Sequence, residues 1–141
     1  MPINAYVIFN GNCRQAVEFY AEVFQTSKPQ IVTYGEGSPD DAEFSLPEEF
    51  KSKVMHTELI IDGSTVMFSD AYPGKPFVAG NNISLTLGTT DLDVVKHAFS
   101  RLAEGGTITM ELQETSWSKY YGMLTDKFGI EWQFNYCSGQ A

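Results

Sequence analysis

The chain has 141 residues, a length that suits one domain able to bury a sizeable core without staples. Apolar residues make up 43% of it and the formal charge is −9, with nine Lys and Arg scattered along the sequence, which leaves no basic stripe for nucleic acid and disfavours an anionic membrane surface. The longest apolar runs, such as Tyr6-Val7-Ile8-Phe9, fall far short of the roughly 20 residues that span a bilayer, and the opening Met1-Pro2-Ile3-Asn4-Ala5 has no basic segment before an apolar one, so the expectation is a cytoplasmic chain without a signal peptide.

In chain order, residues 3–9 read as a strand with Ile3, Ala5, Val7 and Phe9 on one face and Asn4, Tyr6 and Ile8 on the other. Asn10-Gly11-Asn12 breaks it, with Asn12 placed to cap a helix. Cys13, Ala16, Val17, Tyr20, Val23 and Phe24 recur at three- and four-residue spacing and make one buried stripe on that helix. Residues 29–34 read as a short strand, and 35–49, polar and rich in Gly, Pro and paired acids, as a loop. Residues 54–61 form a strand, Asp62-Gly63 is a hairpin signal, and 64–69 return. Pro73, Gly74, Pro76 and Gly80 mark 70–81 as a linker.

Beyond the linker the order repeats. Residues 82–87 read as a strand. Thr90-x-x-Asp93 resembles a capping box before a helix carrying Leu92, Val95, Ala98, Phe99 and Leu102, and Gly105-Gly106 ends that helix. Strands follow at 107–112, 117–125 and 130–136, the last two joined by a turn at 126–129. The segments Asp62-Gly63-Ser64-Thr65-Val66-Met67-Phe68 and Phe128-Gly129-Ile130-Glu131-Trp132-Gln133-Phe134 both place a turn glycine before a strand that ends near a Phe. The expected fold class is therefore α+β, two copies of a βαβββ unit in a single domain 1–141, with module one at about 1–72, the linker at about 70–81 and module two at about 82–137. The function is expected in a pocket between them.

The residues also carry a resemblance. Asn10-Gly11-Asn12-Cys13-Arg14-Gln15-Ala16-Val17-Glu18-Phe19-Tyr20, His56-Thr57-Glu58-Leu59, Met67-Phe68-Ser69-Asp70, Asn81-Asn82-Ile83-Ser84-Leu85, Gly105-Gly106, and Trp117 through Tyr121-Gly122 to Asp126-Lys127-Phe128-Gly129-Ile130-Glu131-Trp132 together resemble the vicinal oxygen chelate superfamily of glyoxalases, extradiol dioxygenases and bleomycin-resistance proteins. Within it they are most similar to the PhnB-like branch, often labelled demethylubiquinone-methyltransferase-like. The resemblance spans nearly the whole chain. It is specific for fold and branch, not for a reaction. It implies glyoxalase-like curved sheets around a cavity, homodimers that sometimes exchange modules, and, in metal-dependent members, four His or Glu ligands on the first and last strands of each module. Such a site needs hard nitrogen or oxygen donors and open positions for a substrate's adjacent oxygens. Here those positions fall near Ala5, Met67, Asn82 and Gln133, the first three placed to within one or two residues, and none is His or a carboxylate. The nearest plausible ligands are His56, Asp70 and Glu131. No metal cofactor is expected, with a divalent ion in a rearranged site as the alternative.

Candidate site residues carry two readings each. His56 is either a pocket acid, base or polar anchor, since imidazole titrates near pH 6.5, or a hydrogen-bonded structural residue. Asp70 either faces the cavity mouth or caps the turn. His97, on the second helix, is read as solvent-facing. Trp117 and Tyr121 either wall the pocket or fill the core, and Tyr120 and Tyr121 should point opposite ways. Gln133 and Asn135 share a face of the last strand, where a buried amide either binds a ligand or locks a neighbour. Asn82 joins them as a ligand contact. Cys13 is read as packing, although a helix N-terminus can lower a thiol's pKa. Cys13 and Cys137 are expected to be reduced thiols and could pair only if their Cα atoms came within about 7 Å. The expected function is a metal-free small-molecule binding protein. The alternatives are a lyase, isomerase or dioxygenase acting on a small oxygenated substrate, and a protein that works through its surface. No nucleotide-binding pattern accompanies the methyltransferase label.

Overall fold

The computed structural model of the chain describes residues 3–37, 48–72, 76–116 and 120–136. The chain divides into two compact units, Met1–Phe77 and Val78–Ala141.

In the first unit, period-two alternation sets β1 (Ala5–Phe9), and three-to-four spacing sets α1 (Cys13–Val23), whose Cys13, Ala16, Val17, Tyr20 and Val23 are buried. A two-residue strand, β2 (Val32–Thr33), leads into a single helical turn, α2 (Tyr34–Gly37). β3 (Val54–Ile61) and β4 (Ser64–Asp70) form a hairpin. Asp62 and Gly63 both sit at positive φ, 48° and 85°, as a two-residue turn of the right twist demands. β1 runs parallel to β4, and the sheet order is β1-β4-β3-β2. Phe9, Tyr20 and Phe68 pack between sheet and helix, with ring centroids 5.9–6.5 Å apart.

The second unit repeats this plan. β5 (Leu85–Thr89) is followed by α3 (Leu92–Ala103), β6 (Thr107–Gln113), β7 (Tyr120–Thr125) and β8 (Glu131–Tyr136). β5 runs parallel to β8, and the order is β5-β8-β7-β6. Val95, Ala98, Phe99 and Leu102 of α3 are buried, and Phe99 meets Phe134 edge-on at 5.3 Å. Gly105 takes φ 76° where α3 ends. A Cβ on Gly106 would lie 2.3 Å from the Thr125 carbonyl oxygen, so only glycine lets β6 start this close to β7. The same strand order, with the same parallel pairing of first and last strands, is the duplicated βαβββ plan expected from the sequence, in the α+β class.

Several boundaries move. Asp70 ends β4 instead of opening the linker, and β5 begins at Leu85, leaving Asn82 exposed in a bend ahead of the strand. The 29–34 strand shrinks to two residues, and 34–37 is helical. Asn12 stands at the N-cap position of α1, but its side chain makes no capping bond. The cap of α3 is Asp91, which accepts from the Asp93 and Val94 amides, and not the box expected at Thr90. The 117–125 strand is described from Tyr120. Trp117, Cys137 and most of the polar 35–49 segment lie outside the described residues.

Candidate functional site

Alternation gives each sheet a face against its helix and an opposite, open face. On the first sheet, Ala5, Val7 and Phe9 lie on the helix side, and Tyr6 and Ile8 on the open side, 46% and 51% exposed. Strand register places Tyr6 opposite Met67, and Met67 opposite Glu58. Ala5 instead faces Val66, so the β1 residue that accompanies Met67 is Tyr6, one position from where the sequence placed it. His56 lies two residues before Glu58 on the same face of β3. Its Nδ1 is 3.5 Å from the Tyr6 hydroxyl and its Nε2 3.8 Å from Glu58 Oε2.

Asp70 does not reach that face. Its Oδ1 accepts from the Gly11 and Cys13 amides at 2.8 and 3.0 Å, and its Oδ2 from the Val54 amide at 2.9 Å. Its carbonyl accepts from the Tyr34 hydroxyl at 2.7 Å, and the residue is 2% exposed. The carboxylate is spent on tying the start of α1 to the start of β3. This corrects the reading of Asp70 as a cavity-mouth or turn residue. Burial, with the negative charge of Asp70 second, pushes the Cys13 thiol up to about 12, so a helix N-terminus here holds a packed, protonated thiol. Burial also raises the Tyr34 phenol. His97 is exposed on α3.

On the second sheet the open face carries Tyr121 and Met123 from β7 and Glu131, Gln133 and Asn135 from β8. Gln133 Oε1 accepts from the Tyr121 hydroxyl, and its Nε2 donates to Ser84 Oγ at 2.8 Å. One amide thereby joins β7, β8 and the segment before β5. Tyr120 points the other way, beneath the Lys96 ammonium at 5.4 Å. Thr86, not Asn82, lies opposite Gln133 in the ladder. Glu131 Oε2 is buried and accepts no hydrogen bond among the described residues. The structure thus brings Tyr121, Gln133 and Asn135 onto one face and leaves Asn82 off the strand. Ser84 and Thr86, which share the face of Asn82 by alternation in the expected strand, went unnoticed because the ligand position was set at that strand's first residue.

Register pairs Tyr6 with Met67 in the first unit and Thr86 with Gln133 in the second, and these are the side chains at the positions that the resemblance assigns to metal ligands in each unit. A thioether, a hydroxyl and an amide are poor donors for a hard divalent ion, and a phenol binds one only once ionised. Among the described residues no three His, Cys, Asp or Glu side chains come together. These residues do not fit the metal that the superfamily implies.

The comparisons agree with this architecture. A family profile described as 3-demethylubiquinone-9 3-methyltransferase matches residues 2–135. Protein YjdN of Escherichia coli is 33% identical over 96% of this chain and 95% of its own length. The crystal structure of PA1353 from Pseudomonas aeruginosa superposes with a TM-score of 0.80 at 32% identity, covering 96% of both chains. A PhnB protein from Bacillus cereus, described as a putative 3-demethylubiquinone-9 3-methyltransferase, gives 0.73 at 26% identity over 97% and 100%. At the level of fold, a glyoxalase/bleomycin resistance protein from Albidiferax ferrireducens gives 0.63 at 14% identity over 97% and 99%. By the profile match and by identity along nearly its full length, the chain belongs to the 3-demethylubiquinone-9 3-methyltransferase family, and it shares its fold with a PhnB protein and a glyoxalase/bleomycin resistance protein.

Proposed function

We propose that the protein binds a small, oxygen-bearing organic molecule on the open face of its second sheet, without a classical metal site. One observation carries this reading: at a position that the resemblance assigns to a His or Glu metal ligand, this chain has an amide oriented by two hydroxyl partners. Tyr121 and Ser84 fix the Gln133 amide, and its second N–H can donate to a ligand oxygen. Tyr121 and Met123 supply adaptable apolar surface on either side. A homodimer belongs to the same proposal, and sedimentation at the mass of a single chain would refute that part.

The experiment is a thermal-shift screen of aromatic and dicarbonyl compounds, followed by calorimetry on the best binder. Gln133→Leu should weaken that binder about tenfold or more and Tyr121→Phe severalfold, as expected when an oriented hydrogen bond of roughly 1–2 kcal/mol is lost. A folded Gln133→Leu variant that binds as tightly as the parent would remove the proposal. The second reading, a lyase, isomerase or dioxygenase, is favoured by Glu131, whose buried Oε2 lies on the same face without a hydrogen-bond donor among the described residues. Turnover of the bound compound that is lost in Glu131→Gln, with binding retained, would select it.

A further inference from the structure

The open face of the first sheet holds a chain of titratable side chains that the binding proposal does not use. Tyr6 reaches from β1 across β4 to β3, so that its ring lies 5.9 Å from the His56 ring at an interplanar angle of 43°. The phenol oxygen is 3.5 Å from Nδ1, and on the other side of the imidazole Nε2 is 3.8 Å from Glu58 Oε2. The three groups therefore stand in the order carboxylate, imidazole, hydroxyl. This is the order in which a carboxylate orients a base and the base takes a proton from a hydroxyl. Both contacts are long, as such contacts are before a ligand closes on them. The group at the end of the chain is accessible. Tyr6 is 46% exposed, and Ile8 and Ile60, on the same face, are 51% and 62% exposed. A polar hydroxyl set among exposed aliphatic side chains suits a mainly apolar molecule with one polar group.

We propose that Glu58, His56 and Tyr6 form an acid–base relay whose working atom is the Tyr6 phenol oxygen, and that its ligand is an apolar molecule bearing a carbonyl group. The Glu58 carboxylate, 3.8 Å from Nε2, draws the imidazole proton to that nitrogen. Nδ1 is then left as the acceptor for the Tyr6 proton. With an activated ester the step balances as follows. The Tyr6 oxygen bonds to the acyl carbon, the bond from that carbon to the leaving oxygen breaks, the leaving group departs as the anion, and the phenolic proton passes to His56. His56 and Tyr6 are the groups that handle the proton, and Glu58 is a positioning residue. The relay lies wholly within the first unit and does not depend on ligand binding at Gln133.

The test exposes the full chain to p-nitrophenyl acetate and maps acetyl groups by peptide mass spectrometry, with N-acetyltyrosinamide in the same solution as the control, because the other six tyrosines are buried or half-buried. Tyr6 should acquire acetyl about tenfold faster than that control, the low end of what a positioned general base provides. His56→Gln should bring Tyr6 down to the rate of the control or below it. Glu58→Gln, a change at an exposed site that leaves the fold intact, should slow it severalfold. Tyr6 labelling no faster than that control in the parent chain would overturn the proposal, as would an undiminished rate in Glu58→Gln or His56→Gln. Stable acetyl on His56 with none on Tyr6 would also overturn the assignment of the working atom.

Discussion

The two units share one strand order but are held together differently, and the contrast lies in where a single carboxylate is spent. In the first unit Asp70, at the end of β4, accepts from amides at positions 11, 13 and 54, so one side chain caps α1 and anchors β3 from far away in sequence. Register gives Asp70 and Tyr136 equivalent places, since Phe9 faces Asp70 and Thr89 faces Tyr136. The second unit therefore has no carboxylate there, and α3 is capped locally by Asp91. Its most deeply buried acidic residue among those described is Asp126, in the turn before β8, accepting from the Phe128 and Ile130 amides and the Trp132 indole. The first unit needs nothing at that turn, because Asp62-Gly63 closes it with two positive-φ residues. Helix N-termini and hairpin turns leave the same orphan donors in both halves. A duplicated fold keeps the requirement while the residues that meet it move.

This comparison ranks the consequences of removing each device. Asp70→Ala strands two buried amides and a part-buried one at once and should cost about 4 kcal/mol, measured by urea denaturation. Asp126→Ala should cost about 2–3 kcal/mol, because two of its three donors lie in a part-buried turn that water can reach. Asp91→Ala removes an exposed cap and should cost about 1 kcal/mol. If Asp91→Ala proved as damaging as Asp70→Ala, the distinction between a long-range and a local cap would fail. The smallest effect separates Cys13 and Leu92, the first residues of the two helices. The folded state holds the Cys13 proton to about 12 while the unfolded chain loses it near 9.0, so folding stability falls as pH rises through that window. At pH 9.5 the loss relative to Cys13→Ala should be about 0.8 kcal/mol, and the thiol should resist alkylation until the chain unfolds.

Elements that depend on local pattern were legible in the sequence. β3 matches its expected span, 54–61, because alternation and the Asp62-Gly63 turn bound it on the sequence itself. The buried stripes of both helices follow from spacing alone, with Phe24 of the first and Leu92 of the second only half-buried at the helix ends. Asp70 was misread because its three donors lie 16, 57 and 59 residues away, and no local pattern announces them. Asn82 was misplaced because Ile83 lends apolar character to a segment that is exposed and outside the ladder. The open face of β8 was legible from alternation, and Tyr121 and Gln133 do meet there. That Tyr6 and Glu58 flank His56 was not legible, since it depends on the register of three strands.

Neither the Tyr6 and Met67 pair of the first unit nor the Thr86 and Gln133 pair of the second offers donors that hold a hard divalent ion. Metal analysis of the chain, purified without chelator, loaded in turn with zinc, nickel, manganese and ferrous iron and then desalted, tests it most directly. The expected result is metal content well below one ion per chain in every case, unchanged in Gln133→Leu. One tightly held ion per chain, lost when Gln133, His56 or Glu131 is replaced, would contradict it.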